Sequence, residues 1–368
     1  MENVRAEVLS PPGPPRSRLR EERASEALHL YCVAAMGTPA RFGPIGLGGR
    51  EVFAVRHAGL AAVVSRSPVR AWTTMMKSDV VPYLFAHQAV IEKVMRTETV
   101  VPVRFGTTAR AAAEVRRMLE LGRGRLAAAL AAMEGRIELD VVALWKDLKP
   151  TLQEIADREE FRTRKAAIGR RPFEETRAER IELGRLLKAE VDLVREQRAA
   201  EIVEVLASVG EALCPHALVD ECMIVNVALL VQRSRDPELR DKLNRLNERY
   251  GDRIDFRCVG PLPPYSFSTV EVGWFSFPAV DSARKLLGLG EQATPAEVKE
   301  AYHRAAWRSH PDALGPKAGG EAPFDEVAAA NRLLTEYCEA GGSSFRELDV
   351  GRIVAVRLLR RAAEAKRA

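Results

Sequence analysis

Cysteine is scarce in this sequence and scattered where it occurs. Cys32, Cys214, Cys222, Cys258 and Cys338 are the five thiols of 368 residues, and no C-x-x-C pair is present. An odd, dispersed set argues against a disulfide framework and fits a reduced, cytoplasmic compartment. The one close Cys/His group is Cys214, His216 and Cys222. It lacks the second ligand pair of a zinc site, so buried thiols are expected and no metal. No apolar run approaches the ~20 residues of a membrane-spanning helix. The longest, Met223 to Val231, is interrupted by Asn226 and suits a buried strand. The first twenty residues carry PPGPP at 11–15 and no apolar h-region. A disordered arm is expected there rather than a targeting signal.

A dominant charge sign is missing too. There are 56 basic and 51 acidic residues, interspersed, for a net charge of +5. That balance allows an acidic partner without implying nucleic acid. The phosphate-loop, H-E-x-x-H and G-x-S-x-G motifs are absent. Gly46, Gly48 and Gly49 form a glycine-rich turn, but REVFAVRH after it has the pattern of a strand. No helix N-terminus would then face a phosphate. His29, His57 and His87 have no partner carboxylate at motif spacing and are expected to be surface or packed histidines. The expectation is a protein that is not an enzyme and holds no cofactor.

What is present is enough apolar residue, 46%, to build a sizeable core. Leu28–Ala35, Glu51–Arg56 and Leu60–Ser65 have strand character, punctuated by Gly and Pro. Val81, Leu84, Phe85, Gln88, Ile91, Val94 and Met95 recur at three-to-four spacing, which predicts a helix over 78–96 with one buried face. A strand over 99–105, a helix over 109–133 and a strand over 137–144 complete an N-terminal α+β domain, 28–148, after an arm at 1–27. A charged helical connector, 149–212, follows. Its stripe of Leu183, Leu187, Val191, Val194, Ile202, Leu206 and Val209 suits either a hairpin packed on its neighbours or a coiled-coil seam. Strand, helix and strand over 213–276 suggest a second α+β domain of ferredoxin-like type.

Two segments carry a family resemblance. VPVRFGT, Val101 to Thr107, follows the first long helix, and GPLPPYSF, Gly260 to Phe267, follows a strand of the second unit. With LHLYCVAA at 28–35 and the charged helical middle, they resemble the gas vesicle F/L accessory family over roughly two thirds of the chain. Within them Arg104, Phe105 and Gly106, and Gly260, Pro261, Pro263, Pro264, Tyr265 and Phe267, stand as motif positions. Each has a structural reading beside a partner-binding one. Arg104 would be a charge at a strand end, Phe105 would fill the core and Gly106 would allow a tight turn. The prolines would stiffen a polyproline-like exit, pinned by Tyr265 and Phe267. The resemblance implies a cytoplasmic, vesicle-associated assembly protein. Its partners would be the small hydrophobic shell protein and other accessory proteins.

A second resemblance lies further on, over 277–342. Thr294-Pro295-Ala296-Glu297 has the form of a capping box. The helix it opens runs to Ser309 with Val298, Tyr302 and Ala305 on one face and Lys299, His303, Arg304 and Arg308 outside. His310-Pro311-Asp312, a loop and a helix led by Phe324 follow. This resembles a J-domain of the DnaJ co-chaperones. The resemblance implies that His310, Pro311 and Asp312, with Lys299, Arg304 and Arg308, would contact a DnaK-type chaperone. Glu300, Ala305, Ser309, Ala313 and Asn331 depart from the common pattern. A general J-domain co-chaperone with a client-binding scaffold is the alternative. The tail, 343–368, is basic with an apolar component, and a helix folded back on the body is expected there. The fold class expected is therefore α+β: two such domains joined by a helical hairpin, plus a small all-helical module.

Overall fold

The computed structural model describes residues 26–35, 37, 39–68, 72–309 and 323–359. The chain divides into two compact units. One takes in the chain through Val90, then Val103–Leu121 and Val272–Ala355; the other takes in Ile91–Pro102, Gly122–Glu271 and the chain from Val356.

The first unit is organised by β1 (Glu26–Ala35), whose residues 27–34 are all buried. Such a run suits a central strand covered on both faces. β4 (Leu60–Pro68) pairs antiparallel with it, then β3 (Val52–His57) and β2 (Arg41–Gly43) extend the sheet. β3 and β4 are joined through Ala58 and Gly59, with φ of 54° and 82°. Two left-handed residues give the hairpin turn whose twist matches the strands. β6 (Thr108–Ala109) is short and pairs with β1, whereas the short β5 (Val100–Pro102) falls in the second unit. α1 (Lys77–Met95) and α2 (Ala112–Leu121) are the helices here, and α2 buries Val115, Met118 and Leu119 on one face. The helix expected over 109–133 is in fact two, α2 and α3 (Arg123–Met133), with Gly122 between them.

The α1 expectation needs correction. Ile91, Val94 and Met95 are buried as the spacing predicts, but Val81, Leu84 and Phe85 are 42%, 43% and 71% exposed. The apolar stripe is continuous in sequence and covered only in its second half.

The second unit holds the four-stranded antiparallel sheet β10-β7-β9-β8, from β7 (Arg136–Trp145), β8 (Ala212–Pro215), β9 (Met223–Gln232) and β10 (Ile254–Leu262). Between β7 and β8 run α4 (Lys149–Ala156), α5 (Glu159–Gly169) and the long α6 (Arg177–Ala207); α7 (Asp236–Tyr250) links β9 to β10. A strand–helix–strand–strand–helix–strand chain with spatial order fourth, first, third, second is the ferredoxin-like topology. It begins about 75 residues before the sequence suggests, because the strand expected to close the N-terminal domain is this sheet's central strand. β7 is paired along its length with β9 on one side and β10 on the other. The segment 149–212 is thus the first crossover of this fold rather than a connector between domains. Its apolar stripe packs inward: Val191, Ile202, Leu206 and Val209 belong to the core of the unit, with Leu183, Leu187 and Val194 against it. Arg198, which interrupts the stripe, instead lies over the Tyr250 ring at 5.6 Å and pairs with Glu201.

The helical module after 276 consists of α8 (Phe277–Leu286), α9 (Pro295–Ser309) and α10 (Phe324–Glu339) around Val280, Val298, Ala301, Leu334 and Tyr337. The expected capping box forms. Thr294 N donates to Glu297 Oε2 at 2.7 Å, and Glu297 N donates to Thr294 Oγ1 at 3.3 Å. The tail through Leu359 is not the expected helix, and residues 360–368 lie outside the described residues. α11 (Glu347–Val350) is one turn, and β12 (Val354–Leu359) is a strand paired with β11 (Thr269–Trp274). β-branched Ile353, Val354 and Val356 favour that outcome. The tail also completes the module's core with Phe345, Val350 and Ala355.

Candidate functional site

The first motif forms a turn hung on β1. Val103 N donates to Tyr31 O at 2.8 Å, and Leu30 N donates to Thr107 O at 3.0 Å. Thr107 closes the turn by donating to Arg104 O from both its amide (3.2 Å) and its hydroxyl (2.6 Å). Gly106 sits at φ +88°, and a Cβ there would lie 3.0 Å from Trp72 Cδ1. Only glycine meets both conditions without strain. Phe105 is half-buried, its ring centroid 4.9 Å from Trp72, 5.4 Å from His87 and 5.7 Å from His29. Arg104 is exposed.

This turn caps a buried histidine pair. His29 Nε2 and His87 Nδ1 are 3.0 Å apart, and both rings are almost fully buried. Desolvation, then for His29 the neighbouring His87, pulls the imidazoles down to about 3 and about 4. Both are neutral near pH 7, one donating and the other accepting. Beside them Tyr31 shares a 2.7 Å hydrogen bond with Ser65, and its oxygen accepts from Leu47 N at 2.9 Å. The cluster is a packed plug. His57, by contrast, is partly exposed, with Glu120 Oε2 at 2.9 Å from its Nε2. That carboxylate lies 63 residues away and is invisible at motif spacing.

The second motif departs from the expected polyproline exit. Gly260 to Leu262 prolong β10, and Pro263 to Phe267 then turn back. Tyr265 N donates to Pro263 O, and both Phe267 N and Ser268 N donate to Pro264 O. Gly260 adopts φ +143°, and a Cβ there would sit 2.5 Å from Leu139 Cδ2. Pro263, Pro264 and Phe267 are buried, Tyr265 is half-buried and Pro261 is exposed.

The anchor of this turn escaped the sequence. Glu138, the third residue of β7, is 3% exposed. Its Oε2 accepts from Ser266 N at 2.8 Å and its Oε1 from Ser266 Oγ at 2.9 Å. His216 Nε2 lies 3.2 Å from the same hydroxyl. The available signal was the glutamate between Ile137 and Leu139, since a buried charge demands a partner. Ser, His and Glu are the side chains of a hydrolytic trio, but the order is wrong. The carboxylate holds the serine rather than orienting the histidine, and Ser266 is 2% exposed. Beside Pro264 a hollow of ≈ 210 Å³ is lined by Arg136 and Arg233, whose guanidiniums are already committed to Glu211 and to Met95 O. No group of three or more His, Cys, Asp or Glu side chains gathers as a metal site among the described residues.

In the third element α9 turns Val298, Ala301 and Ala305 inward, leaving Lys299, His303, Arg304 and Arg308 exposed. Glu300 is the acidic neighbour, 3.9 Å from Arg304. Trp307, which the sequence did not single out, is 74% exposed on this face. His310, Pro311 and Asp312 lie outside the described residues. No described helix is long and apolar enough to cross a membrane.

Comparison with known proteins divides the chain at the same place. The family model described as "Gas vesicle synthesis protein GvpL/GvpF" matches residues 27–269, and the DnaJ domain model matches 284–338. Gas vesicle protein F of Microcystis aeruginosa is 26% identical over 197 residues, 50% of this chain and 77% of that protein. Chaperone protein DnaJ 1 of Streptomyces avermitilis is 40% identical over 72 residues, 17% of this chain and 18% of that protein. The crystal structure of gas vesicle protein GvpF from Anabaena sp. PCC7120 superposes with a TM-score of 0.55 at 21% identity, over 66% of this chain and 98% of that one. At that identity the likeness is one of fold.

Proposed function

The chain belongs to the GvpL/GvpF gas vesicle synthesis family and carries a DnaJ domain, and on that premise we propose that it is a cytoplasmic, non-enzymatic assembly factor which binds the hydrophobic vesicle shell protein and brings a DnaK-type chaperone to it. A shell subunit that must face gas carries apolar surface which aggregates in water until it is assembled. A protein that shields it needs an apolar surface of its own.

The observation that carries the shell-binding half is the uncovered face of α1. Val81, Leu84 and Phe85 share one side of the helix, with Met76, 70% exposed, just before it. A large apolar group in water is unremarkable singly, but four in one run mark an interaction surface. The chaperone half is supported by the packing of the module's described helices, its formed capping box and its cationic α9 face, together with the His310-Pro311-Asp312 tripeptide in the sequence. Deleting the gene and scoring vesicle formation tests the role. Normal vesicle yield without the protein contradicts it.

A further inference from the structure

β10 is the outer strand of the four-stranded sheet, paired with β7 on one side and with no other strand among the described residues. One bond fixes which backbone groups it leaves free. Lys146 N donates to Arg253 O at 2.9 Å, and the register from Ile254 to Val259 runs without a break. Backbone groups alternate in direction along an antiparallel strand. Those of Arg253, Asp255, Arg257 and Val259 therefore turn to β7, and those of Ile254, Phe256 and Cys258 turn to the open edge. The side chains alternate between the two faces as well. Ile254 lies in the core of the unit with Phe256 and Cys258 packed against it. Asp255, Arg257 and Val259 take the other face, where Arg257 is exposed and Val259 is 56% exposed. Arg257 Nε donates to Asp255 Oδ2 at 2.8 Å. Beyond Val259 the register shifts and the strand passes into Gly260 and Pro261, so the regular edge spans Ile254 to Val259.

An open strand edge is a template for another strand. We propose that this edge pairs antiparallel with the same edge of a second copy of the chain, about a two-fold axis through Phe256. Charge complementarity selects both the occupant and the register. An axis through Asp255 or Arg257 sets like charges face to face. An axis through Phe256 sets Asp255 opposite Arg257 of the second copy, and Arg257 opposite its Asp255, so each charge meets its opposite twice over the two-fold. The same axis brings the half-buried Phe256 ring beside its own counterpart, the cross-strand aromatic pair that strengthens sheets. It also lays exposed Val259 along the aliphatic stem of Arg253. The outward backbone groups of Ile254, Phe256 and Cys258 gain hydrogen-bond partners, and the two four-stranded sheets become one continuous sheet. A paired chain carries each of its docking surfaces twice.

The test is the mass of the full chain in solution, by light scattering over a concentration series at low salt, where exposed charges act most strongly. The unaltered chain is expected to pass from one copy to two as concentration rises. Arg257→Asp sets carboxylates face to face and is expected to weaken the dimer at least about tenfold. Asp255→Arg is expected to do the same with guanidiniums, and the two changes together to restore the dimer. Amide exchange in the unaltered chain locates the contact without any variant. The amides of Ile254, Phe256 and Cys258 are expected to slow as concentration rises, while those of Asp255 and Arg257, already turned to β7, stay as they are. A chain that remains single at every concentration overturns the proposal. So does a dimer that survives Arg257→Asp, that the double change fails to recover, or that leaves exchange along β10 unaltered. Both substituted side chains reach solvent, and the variants are expected to melt with the parent, which thermal unfolding checks.

Discussion

Buried polar side chains set the most specific behaviour at the residue scale. His29 and His87 are held neutral in the folded chain at about 3 and about 4, while an unfolded histidine titrates near about 6.5. Between those values the unfolded state binds more protons, so stability is complete above about 6.5 and falls as the pH drops toward the folded values. Each histidine contributes a loss of about 1.4 kcal/mol per pH unit in that window. Urea midpoints measured between pH 7 and pH 5 are expected to fall, and His87→Phe to flatten the decline. A midpoint independent of pH contradicts the buried neutral pair. Glu138 provides the companion case. Ser266→Ala removes one of its donors, and leaving a buried charge short of a hydrogen bond costs about 1–3 kcal/mol. Denaturant unfolding checks this, and a change within about 0.5 kcal/mol, the ordinary surface value, contradicts it. Neither cluster was legible in the sequence. The members of each pair lie 58 and 128 residues apart; packing of α1 on β1 brings the histidines together, and pairing of β7 with β10 brings Ser266 to Glu138.

Local patterns were legible at the scale of elements, and partners were not. The capping box of α9, the inward stripe of α6 and the strands around the glycine turns follow from spacing and propensity within a dozen residues. The assignment of β7 does not, because nothing in RIELDVVALW says which of two sheets will receive it. The uncovered half of α1 escaped for the same reason: periodicity marks an apolar face but not what covers it. The tail was expected to be a helix from its basic residues and apolar component, whereas its β-branched residues and pairing with β11 make Val354–Leu359 a strand. That strand has a consequence. Phe345, Val350 and Ala355 lie in the J-module's core, and the tail is tied to the α8–α9 turn by Ala293 N to Ser343 O and Phe345 N to Glu291 O. Tyr337 OH donates to Ser344 O in the same place. A chain ended after Gly342 loses three buried apolar groups, each worth about 1.5–3 kcal/mol when large and fully buried. Amide exchange in α8 and α10 is expected to rise by orders of magnitude in that truncated chain. Unchanged protection there contradicts a bracing role for the tail.

At the scale of the whole molecule, one chain joins a GvpL/GvpF family part to a DnaJ domain. The family-matched part holds two small sheets, and its signature segments form a turn over the histidine pair and a turn gripped by buried Glu138. The exposed surfaces of the described residues include the apolar run on α1 and the cationic face of α9; on the proposed reading the first meets the shell subunit and the second the chaperone. The most direct measurement is co-purification of the vesicle shell protein and the DnaK-type chaperone with the full chain and with Leu84→Asp/Phe85→Asp. The account predicts that the unaltered chain retains both, and that the variant loses the shell protein at least about tenfold, the scale of a buried hot spot, while keeping the chaperone. Failure of the unaltered chain to hold the shell protein, or equal retention by the variant, contradicts it.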